Sequence, residues 1–239
     1  MSIKSFIVVC SILVGAATAA KADFDISPGA AGGALNTNAF EDATSTFVGN
    51  VRVFHFQLGN DGPFFAQDPG FHPQPGQGIP GGNLLSITIG SPLQFWDGTG
   101  PVAFGALANG ETLKLQNGSF SLAIGAAAPA GSLNIATTDA FGEFDHHLGS
   151  TLMGSGTSDP TDGVYLTSFI LHNPNGTLLD SQPFYIIYDN NLTDDQVNEA
   201  TVAVRDALAP GTNVAGVPEP GSLLIMSVAG LGFLRRRRL

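Results

Sequence analysis

Sulfur and positive charge are both scarce in this sequence. The 239 residues include one cysteine, Cys10, so a fold held together by disulfides is excluded. Lysine and arginine number nine against 20 acidic residues, for a formal net charge of −11. Nineteen of the acids lie between residues 23 and 217, a segment with only three basic residues. A body this acidic repels phosphate groups, so we expect no nucleic acid among the partners.

Long hydrophobic runs are also rare, and the longest lie near the two ends. At the N-terminus, Lys4 precedes an apolar run over residues 6–17, and the segment Ala20-Lys21-Ala22 supplies small residues two positions apart. This order predicts a signal peptide over residues 1–22 that signal peptidase removes. Cleavage there also removes Cys10, which would leave the mature protein without a thiol for catalysis.

The second run lies near the C-terminus, between a Pro-Glu-Pro motif and a basic cluster. Residues 222–234 are uncharged, which is shorter than the ~20 residues of a full membrane-spanning helix. Gly221 and the snorkelling stems of the first arginines extend the span. The pattern predicts a short membrane helix whose basic end stays cytoplasmic while the body faces outward. That basic stop consists of Arg235, Arg236, Arg237 and Arg238.

This C-terminal order resembles the PEP-CTERM sorting signal of exported proteins from Gram-negative bacteria that make exopolysaccharide. The resemblance rests on Pro218, Glu219 and Pro220, followed by the apolar segment and the arginines. It implies that an exosortase, a membrane enzyme that cuts near the motif, recognises these three residues. The expected path is a precursor anchored in the membrane through its C-terminal helix, and then the cell surface or extracellular matrix. Exopolysaccharide is a candidate partner there.

Between the two ends, short runs of alternating polarity are separated by glycine, proline, asparagine and aspartate. This spacing predicts an all-β body, either an antiparallel β-sandwich or a barrel-like sheet. Long helical periodicity is missing from this region, which argues against an α/β fold. Residues 61–82 are rich in proline and glycine and predict a long loop. The predicted strands are 50–58, 83–89, 101–105, 111–115, 119–124, 132–136, 143–148, 164–172 and 183–188.

One α-helix is predicted after the last of these strands. Thr193 and Gln196 form the Thr-x-x-Gln pattern of a capping box, and a Pro-Gly pair at residues 210–211 ends the helix. Its predicted apolar stripe is Val197, Ala200, Val204 and Leu208. The predicted organisation is a signal peptide (1–22), a β-rich extracytoplasmic domain (23–208), a linker (209–216) and the sorting signal (217–239).

Short segments spread along the body are similar to segments of exported cyanobacterial and planctomycete PEP-CTERM proteins, some of which are controlled by zinc availability. The segments are Asp68-Pro-Gly-Phe, Phe-x-x-His-Leu at residues 144–148, Gly163-Val-Tyr-Leu, Ser181-x-Pro-Phe-Tyr and Asn190-Asn-Leu-Thr. This resemblance implies no defined biochemical activity. It favours contact with a metal slightly.

The motifs of the common enzyme classes do not occur in the sequence. There is no Gly-x-Ser-x-Gly nucleophile elbow, no phosphate-binding loop and no dinucleotide-binding glycine pattern. His-Glu-x-x-His and Cys-x-x-Cys are missing too. Pairs of carboxylates could act in a glycosidase, but chance pairs are expected among 20 acids. We therefore expect a protein that is not an enzyme and needs no cofactor.

Histidine is the remaining candidate for chemistry, and all five histidines lie in the body. Along the predicted strand 143–148, alternation places Asp145 and His147 on the polar face. These two residues, with His72 from the proline-rich loop, form a candidate zinc site of nitrogen and oxygen ligands. In the alternative interpretation His147 is a solvated surface residue and His146 a half-buried, hydrogen-bonded one. No EF-hand pattern supports a calcium site.

The sequence therefore predicts a secreted protein of the cell envelope or matrix, sorted by an exosortase, with a non-enzymatic role associated with extracellular polysaccharide. The alternative is an extracytoplasmic zinc-binding protein. A glycosidase of the envelope is a third and weaker hypothesis.

Overall fold

A computed structural model describes residues 24–127 and 130–215. Over these residues the chain forms sixteen β-strands and one α-helix. In chain order they are β1 (Asp25–Ala31), β2 (Ala34–Glu41), β3 (Thr46–Val48), β4 (Val51–Gln57), β5 (Phe65–Ala66), β6 (Gly70–Phe71), β7 (Leu84–Ile89), β8 (Gln94–Trp96), β9 (Thr112–Asn117), β10 (Phe120–Ile124), β11 (Ser132–Thr137), β12 (His146–His147), β13 (Gly149–Met153), β14 (Gly163–His172), β15 (Phe184–Asn190), α1 (Asp194–Leu208) and β16 (Asn213–Val214).

The strands form three open sheets. The first has the order β12-β6-β1-β2-β3, and the second has the order β10-β9-β13-β5. The third runs β11-β7-β14-β15-β4-β16, with β8 also paired to β14. The prediction of an all-β body with a single helix is confirmed over the described residues.

Two details of the predicted sheet are wrong. The pairing is not purely antiparallel, because β1 with β6, β15 with β4 and β16 with β4 are parallel pairs. The sheets also do not close into a barrel. Both errors have one cause, since strands distant in sequence pair here, whereas local alternation reports only that a strand exists.

The main hydrophobic core is shared by all three sheets. Fully buried side chains come from the first sheet (Ile26), the second (Leu113) and the third (Phe169). Alternate residues of a strand point to opposite faces, and each sheet directs one face into this core. The third sheet is buried on its other face as well, so nearly all of β14 is buried. Fold stability therefore depends on all three sheets packing together.

A second, smaller core lies under α1. Val197, Ala200 and Val204 of the helix pack there with Val53 and Ile187 of the third sheet. The helix runs as predicted and its capping box is present. Leu208 is the exception to the predicted stripe, because 43% of it is exposed. It is the last residue of the helix, beyond the sheet surface that the earlier turns cover.

The predicted strand at residues 101–105 is wrong. Its alternation arises because Val102 and Phe104 pack against the small core beneath α1, while only Gly105 forms a bridge, to Phe95. The predicted strand at residues 143–148 is also shortened to the two residues of β12. Strands β1 to β3 were not predicted, and the proline-rich loop contains the short strands β5 and β6.

The predicted ends lie mostly outside the described residues. The signal peptide, the Pro-Glu-Pro motif, the short membrane helix and the arginine cluster all belong to the parts of the chain that the structure does not describe. In the described part, no helix is both long and apolar enough to cross a membrane. The predicted linker includes β16, which pairs with β4.

Candidate functional site

Asp25 and His147 approach each other at one end of the first sheet. Asp25 begins β1, His147 ends β12, and Gly70 of β6 lies between them. The Asp25 Oδ1 atom is 3.9 Å from His147 Nε2. A Cβ atom on Gly70 would lie 1.9 Å from Asp25 Oδ1 and 2.6 Å from His147 Cε1, so only glycine leaves room for both side chains.

The imidazole of His147 is held by its other nitrogen. His147 Nδ1 lies 2.9 Å from the carbonyl oxygen of Gln67, an acceptor, so Nδ1 carries the proton of the neutral ring. The lone pair of Nε2 then faces the carboxylates of Asp25 and Asp145. This is the arrangement of a metal-binding histidine, whose second ring nitrogen donates to a carbonyl or carboxylate.

Three carboxylates surround this ring. Asp68 Oδ1 is 3.9 Å from His147 Nδ1, and Asp145 Oδ1 is 3.5 Å from His147 Nε2. Burial alone lowers the pKa of His147, but the charge of Asp25, the Gln67 carbonyl, Asp145 and Asp68 together raise it above its ordinary value. The site therefore attracts positive charge. Asp25, Asp68 and His147 can each direct one ligand atom into a region where all three atoms lie within 4.8 Å of one another.

His72 belongs to a second group of side chains that also contains Asp25. Its Nδ1 atom is 3.0 Å from Asp42 Oδ1, and its ring packs edge-on against Phe40 with centroids 5.1 Å apart. Asp25, Asp42 and His72 form a second group whose ligand atoms lie within 4.8 Å of one another. The candidate trio from the sequence is thus divided: Asp145 stays with His147, while His72 pairs with Asp42.

The neighbouring histidine, His146, points elsewhere. Its Nε2 atom is 2.9 Å from Asn117 Oδ1, and burial followed by the charge of His147 lowers its pKa. His172 forms an exposed pair with Asp180, 2.6 Å from Nδ1 to Oδ1. That pair is an ordinary surface contact.

A shallow cleft of about 440 Å³ lies along the β9–β10 hairpin and β11. Phe120 stands at its rim with 73% of its surface exposed. The other lining residues are small or uncharged: Asn117, Gly118, Ser119, Ser132, Leu133 and Asn134. An exposed aromatic ring beside amides and hydroxyls offers both apolar contact and hydrogen bonds to a ligand.

Comparison with known protein families identifies a sorting signal at the C-terminus. The family model described as the PEP-CTERM protein-sorting motif matches residues 216–238. The chain carries a PEP-CTERM sorting motif. No curated protein and no solved structure matches the chain.

The PEP-CTERM motif confirms the recognition of the C-terminus made from the sequence. Exosortase recognises this motif, and its presence indicates a secreted protein directed to the envelope. Pro218, Glu219 and Pro220 lie within the matched residues. Their assignment as the recognition residues stays a prediction, as does the role of the four arginines.

Sequence reasoning on this PEP-CTERM protein missed Asp25, Asp42 and Asp68 as neighbours of the histidines. Asp25 alternates with the buried residue Ile26, which is a local signal for a strand at that point. No local sequence pattern predicts that β1 pairs with β6 or that β6 pairs with β12. The cluster exists only because of these long-range pairings.

Proposed function

We propose that the body is a non-enzymatic component of the cell surface or extracellular matrix that associates with polysaccharide. The PEP-CTERM motif carries this proposal, because it directs the protein to the envelope, where extracellular polysaccharide is the expected partner. Release after exosortase cleavage would leave the acidic β-rich body outside the cell.

The cleft beside Phe120 supports a contact with sugars. Aromatic rings pack against the apolar faces of sugar rings, and amide and hydroxyl groups bond to sugar hydroxyls. None of the residues lining the cleft is charged. Because the body itself is strongly acidic, a neutral polysaccharide fits this surface better than an anionic one.

The sorting step is tested at the C-terminus. Changing Pro218, Glu219 and Pro220 to alanine should block processing, so mass spectrometry would find the arginine tail retained in the variant and lost from the wild type. Retention of the tail in both proteins would overturn exosortase processing.

The binding step is tested with a glycan array and two matched variants. Phe120→Ala should abolish binding to neutral glycans. Phe141→Ala is the control, because Phe141 is equally exposed (77%) and is not among the residues that line the cleft. Equal binding by both variants, or none by the wild type, would contradict the proposal. A parallel hydrolysis screen distinguishes the weaker hypothesis of a glycosidase, which requires sugar release.

A second candidate function is extracytoplasmic metal binding. The convergence of Asp25, Asp68 and His147 favours it, since carboxylate oxygen and imidazole nitrogen are ligands that zinc accepts. The hydrogen bond from His147 Nδ1 to Gln67 supports it further by presenting Nε2 as the ligand. We expect calorimetry to give saturable zinc binding, and His147→Ala to remove the site at Nε2. Unchanged binding in that variant would contradict this candidate.

A further inference from the structure

The Asp25 carboxylate belongs to two groups of ligands at once. Asp68 and His147 complete one group, and Asp42 and His72 complete the other. In each group the ligand atoms are within 4.8 Å of one another. Asp25 is only 6% exposed, so the surrounding fold restricts the movement of its carboxylate. A carboxylate has two oxygen atoms and can bind one cation with each.

The topology explains why both groups share one face of the first sheet. Antiparallel pairing places Asp25 opposite Phe40, so Asp42 follows just beyond the end of β2. Parallel pairing of β1 with β6 places Gly70 beside Asp25. His72 follows Gly70 by two residues and therefore lies on the same face of the sheet. Alternate residues share a face, so Ile26 and Phe71 enter the core while their neighbours face away from it.

The second group places a buried histidine nitrogen next to a carboxylate oxygen. His72 Nδ1 is buried and lies 3.0 Å from Asp42 Oδ1, yet the two atoms do not form a hydrogen bond. Ser27 stands two residues beyond Asp25 on the same face, and its buried hydroxyl has no hydrogen-bond partner either. Buried polar atoms are normally satisfied, so a ligand at this position would supply the partner that these atoms lack.

We propose that Asp25 bridges two divalent cations, one bound by Asp68 and His147 and the other by Asp42 and His72. Zinc binds nitrogen and oxygen at about 2.1 Å, which places two ligand atoms of a tetrahedral site roughly 3.4 Å apart. The observed separations of 3.0 Å (His72 to Asp42) and 3.9 Å (His147 to Asp25) lie on either side of this value. These two pairs need only small movements to bind one ion each, while the remaining ligand atoms, which lie within 4.8 Å, must move closer.

Electrostatic repulsion between the two cations makes the two binding steps unequal in affinity. Three carboxylates and two imidazole nitrogens attract a first divalent cation strongly. The second cation meets the charge of the first across the shared carboxylate, so it binds more weakly. Two affinities are therefore expected, both lost when Asp25 is changed.

This inference deepens the metal-binding candidate and rests on it. The test is equilibrium dialysis of the full chain against Zn²⁺, with bound zinc and protein both quantified. The wild type should hold two zinc ions per chain. His147→Gln and His72→Gln should each hold one, and Asp25→Asn should lose affinity at both positions by tenfold or more. His172→Gln, which alters the separate pair with Asp180, should still hold two.

The outcomes separate the two proposals. Far-UV circular dichroism and a thermal melt first establish that each variant is folded, and Asp25→Ser serves as a second variant if Asp25→Asn is not. The wild type could instead hold one zinc ion that is lost in His147→Gln and kept in His72→Gln. That result would overturn the bridged centre but support a single metal site. No bound zinc would overturn both. Two ions unaffected by Asp25→Asn would also overturn the bridge.

Discussion

Asp25 and His147 meet over Gly70, although their strands pair with a common neighbour and not with each other. The strand order β12-β6-β1 puts two strand spacings between the two backbones, and the missing side chain at Gly70 lets the side chains reach across. The result is 3.9 Å between Asp25 Oδ1 and His147 Nε2. The candidate metal site therefore depends on a glycine that is not itself a ligand.

Gly70→Ala should abolish metal binding through steric displacement. The new methyl group would fall 1.9 Å from Asp25 Oδ1 and 2.6 Å from His147 Cε1, so both side chains must move apart. We expect zinc affinity, measured by calorimetry, to fall by at least tenfold while the variant remains folded. Gly105→Ala is the matched control, because no atom lies within 4 Å of a Cβ atom at that position. Wild-type affinity in Gly70→Ala would rule out this geometry.

Local signals in the sequence were sufficient for elements built from neighbouring residues. The capping box at Thr193 formed as predicted. The β9–β10 hairpin turns at Gly118 and Ser119, between the paired residues Asn117 and Phe120, and Gly118 has a φ of +57°. Each of these features is decided within a few residues, so no knowledge of the tertiary fold is needed.

The candidate site could be predicted only in part, because most of it comes from distant segments. Alternation brought Asp145 and His147 together, and the structure places them 3.5 Å apart. Asp25 joins them through a parallel pair between β1 and the two-residue strand β6. A strand of two residues has no detectable periodicity, so the register that assembles the cluster could not be predicted from the sequence.

Thr193→Ala should destabilise the protein by about 1 kcal/mol, the usual effect of losing a helix N-cap. The Thr193 side chain accepts from the Gln196 backbone N–H, and Gln196 Oε1 accepts from the Thr193 N–H at 3.0 Å. Urea denaturation measures the change in the free energy of unfolding. Thr193→Ser keeps the hydroxyl and should stay close to the wild type. Equal losses in the two variants would show that the hydroxyl does not cap the helix.

The face of α1 is tested by two truncations. Val204 is 2% exposed against the sheet, whereas Leu208 is 43% exposed at the end of the helix. Val204→Ala should cost about 1–3 kcal/mol, because it removes buried methyl groups and leaves a small cavity. Leu208→Ala should change stability by no more than about 0.5 kcal/mol. A larger loss of stability from Leu208→Ala would show that Leu208 belongs to the packed face of α1, as the sequence predicted.

Glu111 is a buried carboxylate outside the candidate sites. Its carboxylate accepts hydrogen bonds from the Asn109 backbone N–H at 2.9 Å and the Thr161 hydroxyl at 2.7 Å. Burial alone would raise the pKa of Glu111, but these hydrogen bonds to the charged form hold the pKa below its ordinary value of 4.5. The ionised carboxylate therefore ties the start of β9 to the segment before β14.

A lowered pKa makes this link sensitive to acid. The stabilisation is fully present above the ordinary pKa of 4.5 and is lost as the pH falls through the lowered pKa of the folded state. At neutral pH, Glu111→Gln should lower the free energy of unfolding by about 1–3 kcal/mol, since one buried donor loses its acceptor. Urea titrations from about pH 6 to about pH 3 should show this difference from the wild type shrinking. Glu199→Gln on the exposed face of α1 is the control. A stability difference between Glu111→Gln and the wild type that does not change with pH would refute the linkage, because the wild type would then lose no stability when Glu111 is protonated.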